Sequence, residues 1–266
     1  MKARKDKKVN LNQTLNLENG VWRVAGQTVY DSERHAENIV TVKQAFELSS
    51  NVAMAKMAVS HYSNNPQQYL KHLRKMRMDT ITGIDLVGPK DWPILKKHGM
   101  VSTMCNGAEI SLTEGFNTVQ YHDKLVKNYI EHIHYVADAG YTNLICFSGN
   151  RKGMDDETGL NNCVTGLKKI MAIAEKRGVM IQMELLNSRV DHKDYMCDRS
   201  SWGVELCKRL GSANFKLLFD IYHMQIDEGD IIHSIQTNHQ YYGHYHTGGV
   251  PGRNEIDERQ ELYYPA

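Results

Sequence analysis

The chain has 266 residues, room for one large α/β barrel or two smaller domains. With 41% hydrophobic and 24% charged residues it reads as a soluble globular protein, and a net charge of +1 at a pI near 7.7 argues against a nucleic-acid binder. No apolar run approaches the ~20 residues of a membrane span and no signal-peptide core is visible, so the chain as written is expected to have no transmembrane segment and to be cytoplasmic. The basic cluster Met1–Lys8 reads as a solvated terminus. Five cysteines, scattered and without CxxC spacing, read as buried free thiols rather than a disulfide framework or zinc site.

In chain order, Val21–Ala25 and Gln27–Tyr30 alternate like short strands after a turn at Asn16–Gly20. Val42–His61 permits two helices broken at Ser49-Ser50-Asn51, and Pro66–Met78 reads as another amphipathic helix. The character changes near Gly88-Pro89-Lys90. Beyond it, strands are expected at Gly99–Cys105, Asn143–Phe147, Val179–Glu184, Lys216–Asp220 and Tyr241–His246. Helices are expected at His122–Ala139, Leu160–Arg177, Trp202–Leu210 and Asp230–Asn238, three of them followed closely by a glycine stop.

Five strands joined by four helices in strict alternation imply a buried parallel sheet. No GxGxxG or GxxxxGK[ST] follows a strand, which weakens a nucleotide-binding open sheet. Polar residues sit at the C-terminal ends of the strands, where a (β/α)8 barrel builds its site. Glu184, Asp220 and His246 each end a strand. Singly, each has a bland explanation: a salt-bridged Glu, an Asp capping a helix, a hydrogen-bonded His. Recurrence at the same place in three successive units is harder to explain that way. Two carboxylates and one imidazole suit Mg²⁺, Mn²⁺ or Co²⁺ better than a thiolate-seeking ion.

Met183–Asn187, Phe219-Asp-Ile-Tyr-His-Met-Gln225 and Gly243–Glu255 resemble the hydroxypyruvate isomerase branch of the xylose isomerase-like barrels, from about Asp91 onward. The resemblance implies a divalent metal held by Glu184, Asp220 and His246, with Glu184 also one of the proton-moving carboxylates. His223 and Arg253 would bind a small hydroxy-carbonyl or sugar substrate. The implied reaction is aldose–ketose isomerisation, with the metal polarising the substrate oxygens. The family's second carboxylate, a glutamate on the eighth strand and the fourth ligand, has no counterpart before Ala266. The barrel is therefore expected to lack strands one, two and eight, leaving about five, and to be impaired or to self-associate through its open edges.

Residues of about 9–88 resemble a different family, the class B penicillin-binding transpeptidases. Asn16–Gln27, Asp31–His35 and Ala45–Lys56 carry that likeness, and Ser49 and Asn51 match the S-x-N motif. Neither an S-x-x-K nucleophile nor a K-T-G strand is found, so no acyl-enzyme is expected. A full transpeptidase of this type would be membrane-anchored and face the periplasm. The chain thus reads as chimeric and truncated: a transpeptidase-like fragment over 1–88 and a partial barrel over 91–266. The alternatives to a working isomerase are a cell-wall transpeptidase fragment and a non-catalytic remnant of a composite gene.

Overall fold

The computed structural model describes residues 10–24, 27–31, 35–48, 50–63, 82–256 and 259–264. Contacts divide the chain into two compact units, residues 1–81 and 82–266. In the first, β1 (Thr14–Asn16) pairs antiparallel with β4 (Ile39–Thr41), and β2 (Val21–Val24) forms a hairpin with β3 (Gln27–Tyr30). Helices α1 (Val42–Glu47) and α2 (Asn51–Tyr62) follow, so the expected break between two helices is present. Its cause is Ser50, fully buried and extended, whose hydroxyl oxygen accepts the amide hydrogen of Ala53 and caps α2. Leu17, Val40, Ala45 and Ala53 form a small core. The helix expected at Pro66–Met78 lies outside the described residues.

The second unit is an α/β structure built on a curled, six-stranded parallel sheet: β5 (Gly83–Val87), β6 (Val101–Cys105), β7 (Asn143–Cys146), β8 (Met180–Glu184), β9 (Phe215–Asp220) and β10 (Tyr242–His246), in chain order across the sheet. The expected partial barrel is therefore present with one strand more than the five read from the sequence. The addition, β5, falls in the stretch assigned to the transpeptidase-like fragment. As an edge strand with Ile84 and Leu86 exposed, it lacks the continuous apolar run of the buried strands. It precedes α3 (Trp92–Lys97), so the position before that helix is filled rather than missing.

Helices α4 (His122–Asp138), α5 (Asp156–Arg177) and α6 (Ser200–Leu210) cover one face of the sheet. Leu125, Tyr129, Ile133 and Val136 recur at helical spacing on α4 and are buried. Helix α5 begins four residues before the expected Leu160, because the Asp155 side chain accepts the Thr158 amide hydrogen at 2.9 Å and fixes an earlier start. Gly178 and Gly211, both left-handed, end α5 and α6. Two short helices, α7 (Ile221–Asp227) and α8 (Ile231–Asn238), lie between β9 and β10.

Strand periodicity sorts the sheet residues by face. Leu144 and Cys146, Ile181 and Met183, and Phe215, Leu217 and Phe219 pack in the large helix-covered core. The alternate positions point to the concave side, where Met104, Ile145 and Leu218 are fully buried and packed with Phe147. Glu184, Asp220 and His246 share this second parity. The concave side thus carries its own apolar layer. All five cysteines are free and buried, and burial pushes the Cys105 thiol up to about 11 and the Cys207 thiol up to about 12.

Candidate functional site

Three consecutive strands deliver the ligand candidates. β8, β9 and β10 are in parallel register, with Glu184 opposite Leu218 and Asp220 opposite His246. Each residue occupies the last position of its strand, with its side chain on the concave face. One donor atom from each of Glu184, Asp220 and His246 lies within 4.8 Å of the others. The structure thus brings these three together.

Asp220 is 1% exposed and divides its two oxygens. Oδ1 accepts the amide hydrogens of Tyr222 at 2.8 Å and His223 at 3.3 Å, capping α7. Oδ2 is buried and accepts no hydrogen bond among the described residues; its neighbours are His223 Nε2 at 3.6 Å and Arg253 Nη2 at 3.7 Å. A buried carboxylate oxygen left without a donor is costly unless a cation meets it. Burial, reinforced by the nearby Glu184, pushes the Asp220 carboxyl up to about 6. The orphaned oxygen and the Glu/Asp/His donor set fit a divalent cation.

His246 is pulled in two directions. Its Nδ1 lies 3.2 Å from Glu184 Oε1, and its Nε2 lies 3.2 Å from Asp85 Oδ2 on β5. Burial disfavours its cation, but the Glu184 hydrogen bond and the charges of Glu184, Asp85 and Asp220 outweigh that, so its pKa is raised. Asp85 is a residue the sequence reading missed. Its strand was not recognised, and nothing in the sequence places the first and last strands of the sheet side by side.

His223 is fully buried behind the site. Asn187 Nδ2 donates to His223 Nδ1 at 2.6 Å, while Asn187 Oδ1 accepts the amide hydrogens of Val190 and Asp191, which fixes the amide orientation. The neutral imidazole therefore carries its proton on Nε2, which has no hydrogen-bond partner. Burial, with Arg253 and His192 nearby, lowers the His223 pKa to about 3. Asn187 was not singled out from the sequence, although it lies three residues past Glu184. The Arg253 guanidinium lies over the Tyr222 ring at 5.0 Å and its side chain is half exposed at the mouth of the site.

Of the two S-x-N residues of the first unit, Asn51 is described. Asn51 donates its amide to the Tyr30 carbonyl at 3.0 Å. Ser50, between them, binds the Asp31 carboxylate. Ser49 lies outside the described residues.

Residues 94–262 match the family described as xylose isomerase-like TIM barrel, more than half of the chain. The chain belongs to that family. Residues 1–113 match the penicillin binding protein transpeptidase domain, and the last part of that stretch, from residue 82, lies in the barrel unit. A 2-oxo-tetronate isomerase from Cupriavidus necator is 40% identical over 92 residues, 35% of this chain and 35% of its own length. A D-psicose 3-epimerase from Ruminiclostridium cellulolyticum is 32% identical over 109 residues, 40% of this chain and 36% of its own. The chain thus spans about a third of the length of these curated relatives. A solved AP endonuclease, family 2, from Brucella melitensis superposes with a TM-score of 0.60 over 74% of this chain and 80% of that one, at 24% identity, which shows a shared fold. By name, these two relatives are an isomerase and an epimerase.

Proposed function

We propose that the barrel unit is a divalent-metal-dependent isomerase for a small hydroxy-carbonyl compound, an aldose–ketose isomerase of the hydroxypyruvate isomerase type. The observation that carries this reading is the convergence of Glu184, Asp220 and His246 at one end of three neighbouring strands, with Asp220 Oδ2 accepting no hydrogen bond among the described residues. These three residues would hold Mn²⁺, Mg²⁺ or Co²⁺, which would supply positive charge to stabilise the negative charge that develops on the substrate.

The chain's own groups supply the rest. The Glu184 carboxylate takes the proton from the carbon next to the carbonyl and can return it to the neighbouring carbon. His223, kept neutral, aims Nε2–H into the site and donates to the oxygen on which charge develops. Asn187 holds that tautomer. Arg253, a permanent cation at the mouth, binds the substrate's carboxylate or outer hydroxyls, and its stacking on Tyr222 limits its wandering.

Purified protein given Mn²⁺ should interconvert a hydroxy-aldehyde and its ketose, and removal of the ion by chelation should stop the reaction reversibly. Glu184→Gln should lower kcat at least ~10²-fold, the lower range of general-base effects. Turnover that survives both chelation and Glu184→Gln would falsify the proposal.

A further inference from the structure

A second group of candidate ligand side chains shares one residue, His246, with the trio just described. Asp85, His244 and His246 each offer one donor atom, all within 4.8 Å of one another. β5 and β10, which carry them, are the two edge strands of the six-stranded sheet and are not hydrogen-bonded to each other. Both imidazoles approach a single carboxylate oxygen: Asp85 Oδ2 lies 3.1 Å from His244 Nε2 and 3.2 Å from His246 Nε2. The other oxygen, Oδ1, is held by the Thr103 hydroxyl, which fixes the carboxylate plane. A tetrahedral zinc ion with bonds of ~2.05 Å sets its ligand atoms about 3.3 Å apart, so an ion could replace the His244–Asp85 hydrogen bond and the His246–Asp85 contact with little movement of the donor atoms. His246 Nε2 is buried and makes no hydrogen bond despite the nearby oxygen, whose direction does not suit one.

We propose that Asp85, His244 and His246 form a second divalent-cation site that clasps the two edges of the sheet and prefers an imidazole-seeking ion such as Zn²⁺. Two imidazoles and one carboxylate favour that class, whereas the Glu184/Asp220/His246 set is richer in oxygen. The two sites share one ring. A neutral imidazole binds an ion through one nitrogen and carries its proton on the other. An ion at the clasp takes Nε2 and leaves Nδ1–H, which then donates to Glu184 Oε1 and cannot ligate. An ion in the oxygen-rich site takes Nδ1 and leaves Nε2–H facing Asp85. Occupation is mutually exclusive, and zinc at the clasp withdraws a ligand from the site assigned to isomerisation. The exclusivity rests on that assignment; the clasp itself does not.

The test uses Zn²⁺ as the probe. Glu184→Gln/Asp220→Asn disables the oxygen-rich site, and calorimetric titration should still show about one equivalent of Zn²⁺ bound. Adding His244→Gln should weaken that binding at least tenfold. No zinc binding in the double variant, or binding indifferent to His244→Gln, overturns the clasp. Should the double variant fail to fold, zinc-edge X-ray absorption on the unaltered chain with one equivalent of Zn²⁺ decides: two imidazole ligands support the clasp, and one places zinc in the oxygen-rich site and overturns it. Neither readout needs turnover, so loss of the isomerase reading leaves the outcome interpretable.

Discussion

Asp220 shows how a structural role and the proposed functional one can share a side chain. One oxygen caps α7, as an Asp at that place commonly does, and the other faces the site without a donor. The sequence offered capping and metal binding as alternatives; with two oxygens on the side chain, capping by one leaves the other open to the proposed ion. The titration behaviour of the site can be tested in metal-free protein. His223 falls from 6.5 to about 3 in the fold, so between those values the unfolded chain binds a proton that the native chain does not. Its contribution to stability is fully present above pH 6.5 and is lost as pH falls toward 3. Asp220 works oppositely. Raised from 3.8 to about 6, it binds a proton in the native state first, so its contribution is greatest below pH 3.8 and is lost as pH rises through 6. Urea denaturation between pH 3 and 7 should show His223→Asn flattening the loss of stability toward acid and Asp220→Asn steepening it. An unchanged slope in His223→Asn would mean that the buried imidazole is not kept neutral. The convergence of Glu184, Asp220 and His246 was legible because each ends a strand inside a short continuous motif. Asp85 and Asn187 were not: one needs the closure of the sheet to matter, and the other acts by turning another ring.

At the scale of elements, helix faces, glycine stops and buried strands followed from periodicity and turn chemistry. The errors fall where an element is short or half-exposed. β5 carries alternating exposed residues, α7 is a few residues long, and α5 starts early because of a cap. The loop between β6 and α4 is fastened to the end of β7, with Phe116 N donating to Phe147 O and Asn117 N to Ser148 O. Gly115 permits this crossing, since a Cβ there would lie 2.3 Å from the Ser148 carbonyl carbon. Gly115→Ala should cost about 1–3 kcal/mol by forcing backbone apart. Leu167→Ala, in the core under α5, should cost about 2–5 kcal/mol through a cavity. Denaturant midpoints of both variants against the parent measure these losses, and a neutral Gly115→Ala would show that the loop is not pinned there.

For the whole molecule, the sequence divides into two kinds of chain because two independent hydrophobic patterns are present. The structure separates them at Ile81–Thr82, ahead of the change of character read near Gly88, since β5 belongs to the barrel sheet. An ion bound by native barrel alone should stabilise that unit: Mn²⁺ at about 100 times its Kd adds about 2.7 kcal/mol. Calorimetry with and without Mn²⁺ should show the barrel transition moving upward and the Glu184→Gln protein losing that shift. The first unit should take no covalent label from a fluorescent penicillin, because no S-x-x-K nucleophile occurs in the sequence and the Asn51 amide is already engaged. A labelled band on a denaturing gel would contradict this.

The five buried cysteines have an experimental use. All lie in the barrel unit, and none presents a thiolate to solvent in the native state. A maleimide or disulfide-exchange reagent therefore has nothing to attack until the barrel opens. The rate of modification becomes a clock for that opening, blind to events in residues 1–81, and the order in which the five sites react maps which strands part company first.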